Sequence, residues 1–217
     1  DNEVNTDSNT GGIATQIRGG LEQVGISTGT IDLTTQDIPP GTTALILLSP
    51  KTDLTDAETQ KIAQYAANGG SLLIMAKPLL VQPTNAPVAP LEFQFLQDSS
   101  PMTKYLWETW GVRAQNDIVY DPASNVDSPY QPLTAQAAKH PIMARDQAGT
   151  TQLQALLYVA RSWEVAATGK APPNVSVTPL ILTSSQAFGA TDIRTATYTP
   201  DNYQRSAKDL PGPLIMA

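Results

Sequence analysis

The stretch from Thr43 to Ala76 is the feature that most constrains the fold of this chain. Residues 43–49 form a short, continuously apolar run that stops at Pro50, and residues 71–76 form a second run of the same kind. Runs without alternation are typical of strands that are covered on both faces. Between them, Thr55 and Glu58 have the spacing of a capping box, which predicts the first turn of a helix. The stretch therefore predicts a βαβ unit with a right-handed crossover.

The rest of the chain repeats these signals. Residues 117–121 and 180–183 are short apolar runs that predict two more buried strands. Residues 102–110 have the periodicity of a helix, whereas residues 151–166 fit either a helix or strands. Strands that alternate with helices predict an α/β fold, with a layered, largely parallel sheet flanked by helices.

Polar side chains follow the predicted strands at the points where the strands end. In parallel sheets, ligands bind beyond the carboxyl ends of the strands. We therefore predict that these side chains gather at one edge of the sheet and form a ligand-binding site: Ser49, Lys51, Lys77, Asp121, Ser184 and Ser185.

Composition excludes several classes of function. The net charge of −7 leaves no basic surface to neutralise phosphates, so nucleic acid is not an expected partner. The chain has no cysteine and a single histidine, which excludes thiolate nucleophiles, zinc–sulfur sites and histidine-rich metal centres. No run reaches the length of about 18 apolar residues that a membrane-spanning helix needs. We expect no cofactor.

The two ends of the sequence suggest an excised piece of a longer protein. The chain starts at Asp1 without methionine and ends inside an apolar run, residues 213–217. We interpret residues 1–11 as a flexible tail and residues 12–217 as a single α/β domain, whose membrane anchors lie outside this sequence.

A series of short motifs in a fixed order resembles the GldG-like family, the auxiliary components of ABC-type transport systems associated with gliding motility. The resemblance extends over residues 12–217. Its motifs are Ile38-Pro39, Ser49-Pro50, the helix start at Leu54-Thr55 with Glu58, Tyr65 with Asn68 to Ile74, Trp110-Gly111-Val112, Asp117 to Asp121, His140-Pro141-Ile142, Pro179-Leu180 with Thr183-Ser184, and Gly212-Pro213-Leu214.

The resemblance implies a fold, a location and partners. The soluble domain of that family is similar to flavodoxin-like and class I glutamine-amidotransferase-like folds, which makes residues 156–166 a strand. It lies outside the cytoplasm, tethered by membrane helices, beside an ABC permease and its ATPase. A related domain occurs in a eukaryotic intraflagellar-transport protein, which suggests binding or scaffolding. Family members begin with a strand and a Gly-His-Gly-Glu-like turn; residues 1–10 show neither, so no function of that turn is inferred.

The residues themselves do not predict an enzyme. Ser49, His140 and Asp121 are the residue types of a catalytic triad, but Pro50 follows Ser49 and has no N–H for an oxyanion hole. No Gly-x-Ser-x-Gly elbow is present. We therefore name no catalytic residue and expect His140 to cap its loop, with a serine hydrolase as the weakest alternative.

Two other groups of residues have an ordinary and a functional interpretation. Asp117 and Asp121 share a strand face at i and i+4, which is a weak indication of a metal site. Trp107 and Trp110 are able to stack on a sugar, but their helical spacing favours packing in the core. We expect no metal at the first pair and core packing for the second.

These observations leave two leading functions from different classes. The first is a non-enzymatic, extracytoplasmic domain of an ABC-transporter auxiliary protein that acts in binding or scaffolding, with the permease and ATPase as partners. The alternative is a receptor for a small molecule or carbohydrate at the strand-end edge. A pocket lined by convergent polar groups favours the receptor, and an exposed apolar patch favours a protein partner.

Overall fold

The computed structural model describes residues 13–48, 50, 52–76, 79–81, 92–94, 99–144, 154–167, 170–193 and 203–217. The predicted tail, residues 1–11, lies outside these ranges. The chain divides into two compact units, Asp1–Met75 with Ser99–Met102 and Ala76–Asp98 with Thr103–Ala217. That residues 12–217 form one domain stays a prediction.

The first unit contains the predicted βαβ element. Helix α1 spans Ile13–Gln23, strand β1 Ala44–Leu48, helix α2 Asp56–Ala67 and strand β2 Ser71–Met75. Strands β1 and β2 pair in parallel, with Ile46 opposite Leu73. The capping box is present at the start of α2, where Thr55 N–H donates to Glu58 Oε2 at 2.8 Å. The βαβ prediction is therefore confirmed, and the right hand of its crossover stays a prediction.

The burial of this two-stranded sheet differs from the prediction. Leu45 and Leu47 of β1 are buried, whereas Leu73 of β2 is 51% exposed. Successive strand residues point to opposite faces, so an exposed Leu73 marks a face that is only partly covered. The expectation that both strands are covered on both faces is wrong for this position.

The remaining elements are short. Strands β3 and β4 span Leu79–Val81 and Glu92–Gln94, helix α3 spans Pro101–Tyr105, and a π-helix spans Leu106–Trp110. A 3₁₀-helix covers Pro141–Met143. The strands that follow are β5 Val112–Ala114, β6 Ile118–Tyr120, β7 Gln136–Ala137, β8 Trp163–Val165, β9 Ile181–Leu182, β10 Phe188–Ala190 and β11 Leu210–Pro211.

The predicted largely parallel, flavodoxin-like or glutamine-amidotransferase-like sheet is wrong. Apart from β1–β2, every described strand pair is antiparallel: β3–β4, β5–β8, β7–β9, β10–β6 and β10–β11, in sheets of two or three strands. Parallel pairing needs a long crossover, which is usually a helix. Beyond the π-helix, the described residues contain no α-helix to supply one. Residues 156–166 do include a strand, β8, as expected.

The core of the second unit lies on both sides of β6. Ile118 and Tyr120 pack in one buried cluster with Phe188, Ala190 and Ile193. Val119, which points to the opposite side, packs in another cluster with Met143, Ile181, Leu214 and Met216. Because successive side chains of a strand point to opposite faces, the three residues of β6 contribute to both clusters. A ligand site near β6 would therefore be supported by buried side chains on both sides of this strand.

A substitution at Gly189 of β10 would test how closely this strand packs against the start of β6. A Cβ atom at Gly189 would fall inside the van der Waals radius of the Asp117 carboxylate. We expect Gly189→Ala to lower the free energy of unfolding by about 1–3 kcal/mol because of this overpacking. In an Asp117→Ala background the same change should cost much less, as measured by urea denaturation in a double-mutant cycle.

Gly29→Ala is the control, because a Cβ atom there meets nothing within 4 Å. An equal cost of Gly189→Ala with and without the Asp117 carboxylate would contradict the packing described.

Candidate binding site at the end of β6

An aromatic cluster lies where β6 ends. The rings of Tyr120, Phe188 and Tyr203 have centroids 5.2 to 6.2 Å apart and are within 27° of parallel. Three rings at such similar mutual distances form a triangle and not a linear stack, in which Tyr120 and Phe188 are buried and Tyr203 is half-buried. Tyr130 meets Tyr120 edge-on at 6.3 Å, and Tyr158 meets Tyr130 edge-on at 5.9 Å. These are the separations at which aromatic pairs are favourable.

The cluster lines a cavity of about 330 Å³. Its lining comes from four separate segments of the second unit: Tyr120, Pro122, Ser128, Pro129, Tyr130, Phe188, Tyr203 and Arg205. Cavities that bind small ligands range from about 300 to 1,000 Å³ and are mostly apolar with a few polar groups. This cavity has that composition and lies at the lower end of that size range.

Arg205 brings a positive charge to the cavity. Its guanidinium carbon lies 5.2 Å from the centre of the Phe188 ring, a cation–π distance. In the described part of the chain, no carboxylate lies within the 4.0 Å of an ion pair with Arg205. The edge of the planar guanidinium carries its N–H donors, so the ring contact leaves them available for an anionic group.

A buried carboxylate fixes the ring of Tyr203. The Tyr203 hydroxyl donates to Asp209 Oδ1 at 2.7 Å, and the same carboxylate accepts from the N–H groups of Thr191 and Ser206 at 3.1 and 2.7 Å. Burial and the contact with Asp209 raise the pKa of Tyr203 to about 12. Burial alone would raise the pKa of Asp209, but the hydrogen bonds it accepts outweigh burial and lower its pKa.

The structure brings two of the six predicted site residues together. Asp121 follows β6 and is fully buried, and its carboxylate accepts from Ser184 N–H at 2.7 Å and from Ser184 Oγ at 2.5 Å. It also accepts from the N–H groups of Ala123 and Ser124 at 3.1 and 3.0 Å. These four hydrogen bonds attach the loop after β6 and the segment at Ser184 to the Asp121 carboxylate. A role of Asp121 or Ser184 in ligand binding stays a prediction.

The structure describes only one of the other four predicted residues. Ser185 lies in an exposed turn after Ser184. Ser49, Lys51 and Lys77 lie outside the described residues. The largely parallel sheet on which the expected gathering of strand ends was based is wrong, and the gathering of the six residues itself stays a prediction.

Asp117 lies at the other end of β6, where its carboxylate is hydrogen-bonded within the fold. Its carboxylate accepts from Ser162 N–H at 2.9 Å and from Ser162 Oγ at 2.7 Å. Burial raises the pKa of Asp117, against the hydrogen bonds from Ser162, which lower it. The ionised form is therefore disfavoured in the fold, and this carboxyl contributes less stability as the pH rises from its unfolded-state pKa to its folded-state pKa.

The alternatives weighed from sequence are resolved in part. His140 caps the 3₁₀-helix by accepting from Ile142 N–H at 3.3 Å, as predicted. In the ranges that the structure describes, no group of three or more His, Cys, Asp or Glu side chains is arranged to hold a metal ion. Trp110 is 37% exposed, so its expected core packing is wrong. Trp107 is half-buried, with the Arg113 guanidinium 4.7 Å from its ring centre.

Sequence reasoning missed most of the cavity. Tyr130, Tyr203 and Arg205 lie in irregular segments, and Phe188 lies in a strand of only three residues, so none belongs to a periodic pattern. One available signal was the placement of Tyr130 and Tyr203 in loops, because tyrosine in a loop is frequently used for binding.

Comparisons with known proteins identify the family. A family model described as ABC-type uncharacterized transport system, ABC_transp_aux, matches residues 7–217. The chain belongs to this family of auxiliary components of ABC-type transport systems. The resemblance predicted from sequence is thereby confirmed at this level. No curated protein sequence matches the chain significantly.

One similar solved structure is the mmIFT52 N-terminal domain. It shares 17% sequence identity with this chain, with a TM-score of 0.46. The match covers 68% of this chain and 55% of that chain, so it spans little more than half of the solved protein.

Tyr203→Phe tests the hydrogen-bond network behind the cavity. A carboxyl whose pKa is lowered in the fold contributes stability above its unfolded-state pKa, and this contribution is lost as the pH falls through the folded-state value. Loss of the tyrosine donor should lower the free energy of unfolding by about 1 kcal/mol at pH 7. The loss should shrink at acid pH, once Asp209 is protonated below its ordinary pKa of 3.8.

Urea denaturation at pH 7 and at an acid pH below the lowered, folded-state pKa of Asp209 measures this dependence. Tyr158→Phe is the matched control, because Tyr158 is 65% exposed and its hydroxyl makes none of the hydrogen bonds found in the described residues. A destabilisation by Tyr203→Phe that is equal at both pH values would show that Asp209 is not its cause.

Proposed function

We propose that this chain is a non-enzymatic, extracytoplasmic binding domain of a GldG-like auxiliary protein, and that it assembles with the permease and ATPase of its transport system. Membership of the ABC_transp_aux family supports the association with transport. The single observation that carries the binding role is the aromatic cavity at the end of β6. Tyrosine and arginine, which supply most of its polar rim, are enriched at the energetically dominant positions of protein interfaces.

The chemistry of the cavity supports binding over catalysis. General acid–base and nucleophilic catalysis need a titratable group within reach of the substrate. Two carboxyl groups beside the cavity in the described residues, Asp121 and Asp209, are buried and occupied by hydrogen bonds from the chain itself. The Tyr203 hydroxyl, with a pKa of about 12, keeps its proton at neutral pH.

An extracytoplasmic location is part of the proposal and comes from the family resemblance. Among the helices of the described residues, none is long and apolar enough to cross a membrane. The proposal therefore concerns the compartment of this domain and assigns no membrane segment within it.

A receptor for a small molecule is the second candidate. The concave shape of the cavity and the cationic Arg205 at its rim favour it. A receptor of this kind would bind its ligand without a partner protein, so the two candidates differ in whether partner contacts depend on the cavity.

The absence of cysteine from the chain provides a direct test of location and partner together. A Tyr158→Cys change in the full-length protein, compared with the unaltered full-length protein, adds a thiol at the aromatic rim, at a position that is 65% exposed. We expect a membrane-impermeant maleimide to label it in intact cells. A thiol-specific photo-crosslinker at this position should then capture the permease or ATPase of the same system.

Val24→Cys is the matched control, since Val24 is 73% exposed on the first unit and lies away from the cavity in sequence. It should be labelled equally but should capture these subunits less. Labelling of both thiols only after permeabilisation would reject the location, and equal capture from both positions would reject the cavity as the partner site.

A further inference from the structure

The cavity has two features that no transport function explains by itself: a triangle of near-parallel rings and a cation with no anionic partner in the described residues. We propose that it recognises an aromatic side chain adjacent to an acidic group, presented by a segment of a partner protein. This inference rests on the binding role proposed above and specifies its ligand chemistry.

The rings of the cavity indicate the aromatic side chain of the ligand. Aromatic rings pair favourably at centroid distances of about 4.5–7 Å, either offset or edge-to-face. Tyr120 already has a parallel neighbour in Phe188 and an edge-on neighbour in Tyr130. Because Tyr120 and Phe188 are buried, a ligand ring that enters the cavity would pair mainly with the half-buried rings of Tyr130 and Tyr203. At about 330 Å³ the cavity has room for a side chain and not for a folded surface.

A sugar would make greater demands on the polar groups of the cavity than an apolar ring does. A sugar ring needs hydrogen-bond partners for several hydroxyl groups, and each one that is buried without a partner costs free energy. Near the cavity, Tyr203 donates to Asp209, and Ser184 donates to Asp121. An apolar ring needs no such partners.

Arg205 indicates the acidic group of the ligand. Its guanidinium lies over the Phe188 ring, at the rim of the same cavity, so an acidic group beside the bound ring would come within its reach. Carboxylates pair with guanidinium in a bidentate geometry. Arg205 is exposed and has no carboxylate partner among the described residues, as is also true of Lys139, but only Arg205 places its charge at this cavity, where it would attract an anionic group.

The extent of the aromatic surface indicates a chain segment and not a free compound. Tyr158 continues the cluster beyond the cavity by its edge-on contact with Tyr130, and it is 65% exposed. A single small ring in the cavity would leave Tyr158 uncovered. A peptide segment would extend across it.

Amide NMR shifts during titration with short peptides test the proposal. The probe is an acetylated, amidated Gly-Ser-Phe-Glu-Ser-Gly peptide at up to about 10 mM, a concentration that fills even a site of millimolar Kd. Its matched peptides carry Ala for Phe, or Gln for Glu. We expect saturable shifts of the Phe188 and Arg205 amides with the first peptide, and binding weakened up to about fivefold when Glu is replaced.

Protein variants assign the charge effect to Arg205. In Arg205→Gln the Glu and Gln peptides should bind equally, whereas Lys139→Gln, which removes an exposed positive charge elsewhere on the same unit, should leave their difference unchanged. Equal binding of the Glu and Gln peptides to the unaltered protein would overturn the assignment of the acidic group.

Two further outcomes would overturn the ligand class. One is the absence of any shift with all three peptides. The other is a stronger response to glucuronate, which carries a carboxylate on a sugar ring. Either result, combined with selective crosslinking of the transport subunits from position 158, would reject the ligand chemistry and keep the binding role.

Discussion

Two buried carboxylates at the ends of a three-residue strand hold the second unit together. Asp117 accepts two hydrogen bonds from Ser162 before β6 begins, and Asp121 accepts two from Ser184 after it ends. A buried carboxylate without partners costs several kcal/mol, and the hydrogen bonds from the two serines offset part of that cost only when each serine is correctly placed. Two segments that are distant in sequence, those of Ser162 and Ser184, are thereby fixed to β6.

The cavity depends on this arrangement. Tyr120 ends β6 and contributes one wall, and Phe188 pairs directly with it in β10. Because these rings belong to a hydrogen-bonded pair of strands, their positions are set before any ligand arrives. Preorganised aromatic surface binds with a smaller loss of conformational entropy than surface on mobile loops. The cavity therefore suits an auxiliary component whose proposed task is recognition.

Local signals made part of this structure predictable. The capping box of Thr55 and Glu58 and the two apolar runs predicted the βαβ unit, because each signal acts within a few residues. The pairing of β6 with β10 joins Tyr120 to Phe188 across a long separation, and no local pattern specifies it. The proximity of Asp121 and Ser184 was predicted from a parallel edge, yet it arises from hydrogen bonds between a strand end and a loop. The aromatic cavity was missed because its residues come from four segments.

Native-state hydrogen exchange tests most directly whether β6 and the flanking Asp117 and Asp121 carboxylates open only when the whole second unit unfolds. The amides of Ser162 and Ser184 donate to the two aspartates, and the amide of Val119 donates to Ala160 O at 2.9 Å. If the account is correct, all three exchange only through unfolding of the whole unit and give the same protection free energy. Exchange of Ser184 through a local opening, several kcal/mol less costly than that of Val119, would contradict a cavity preorganised by Asp121.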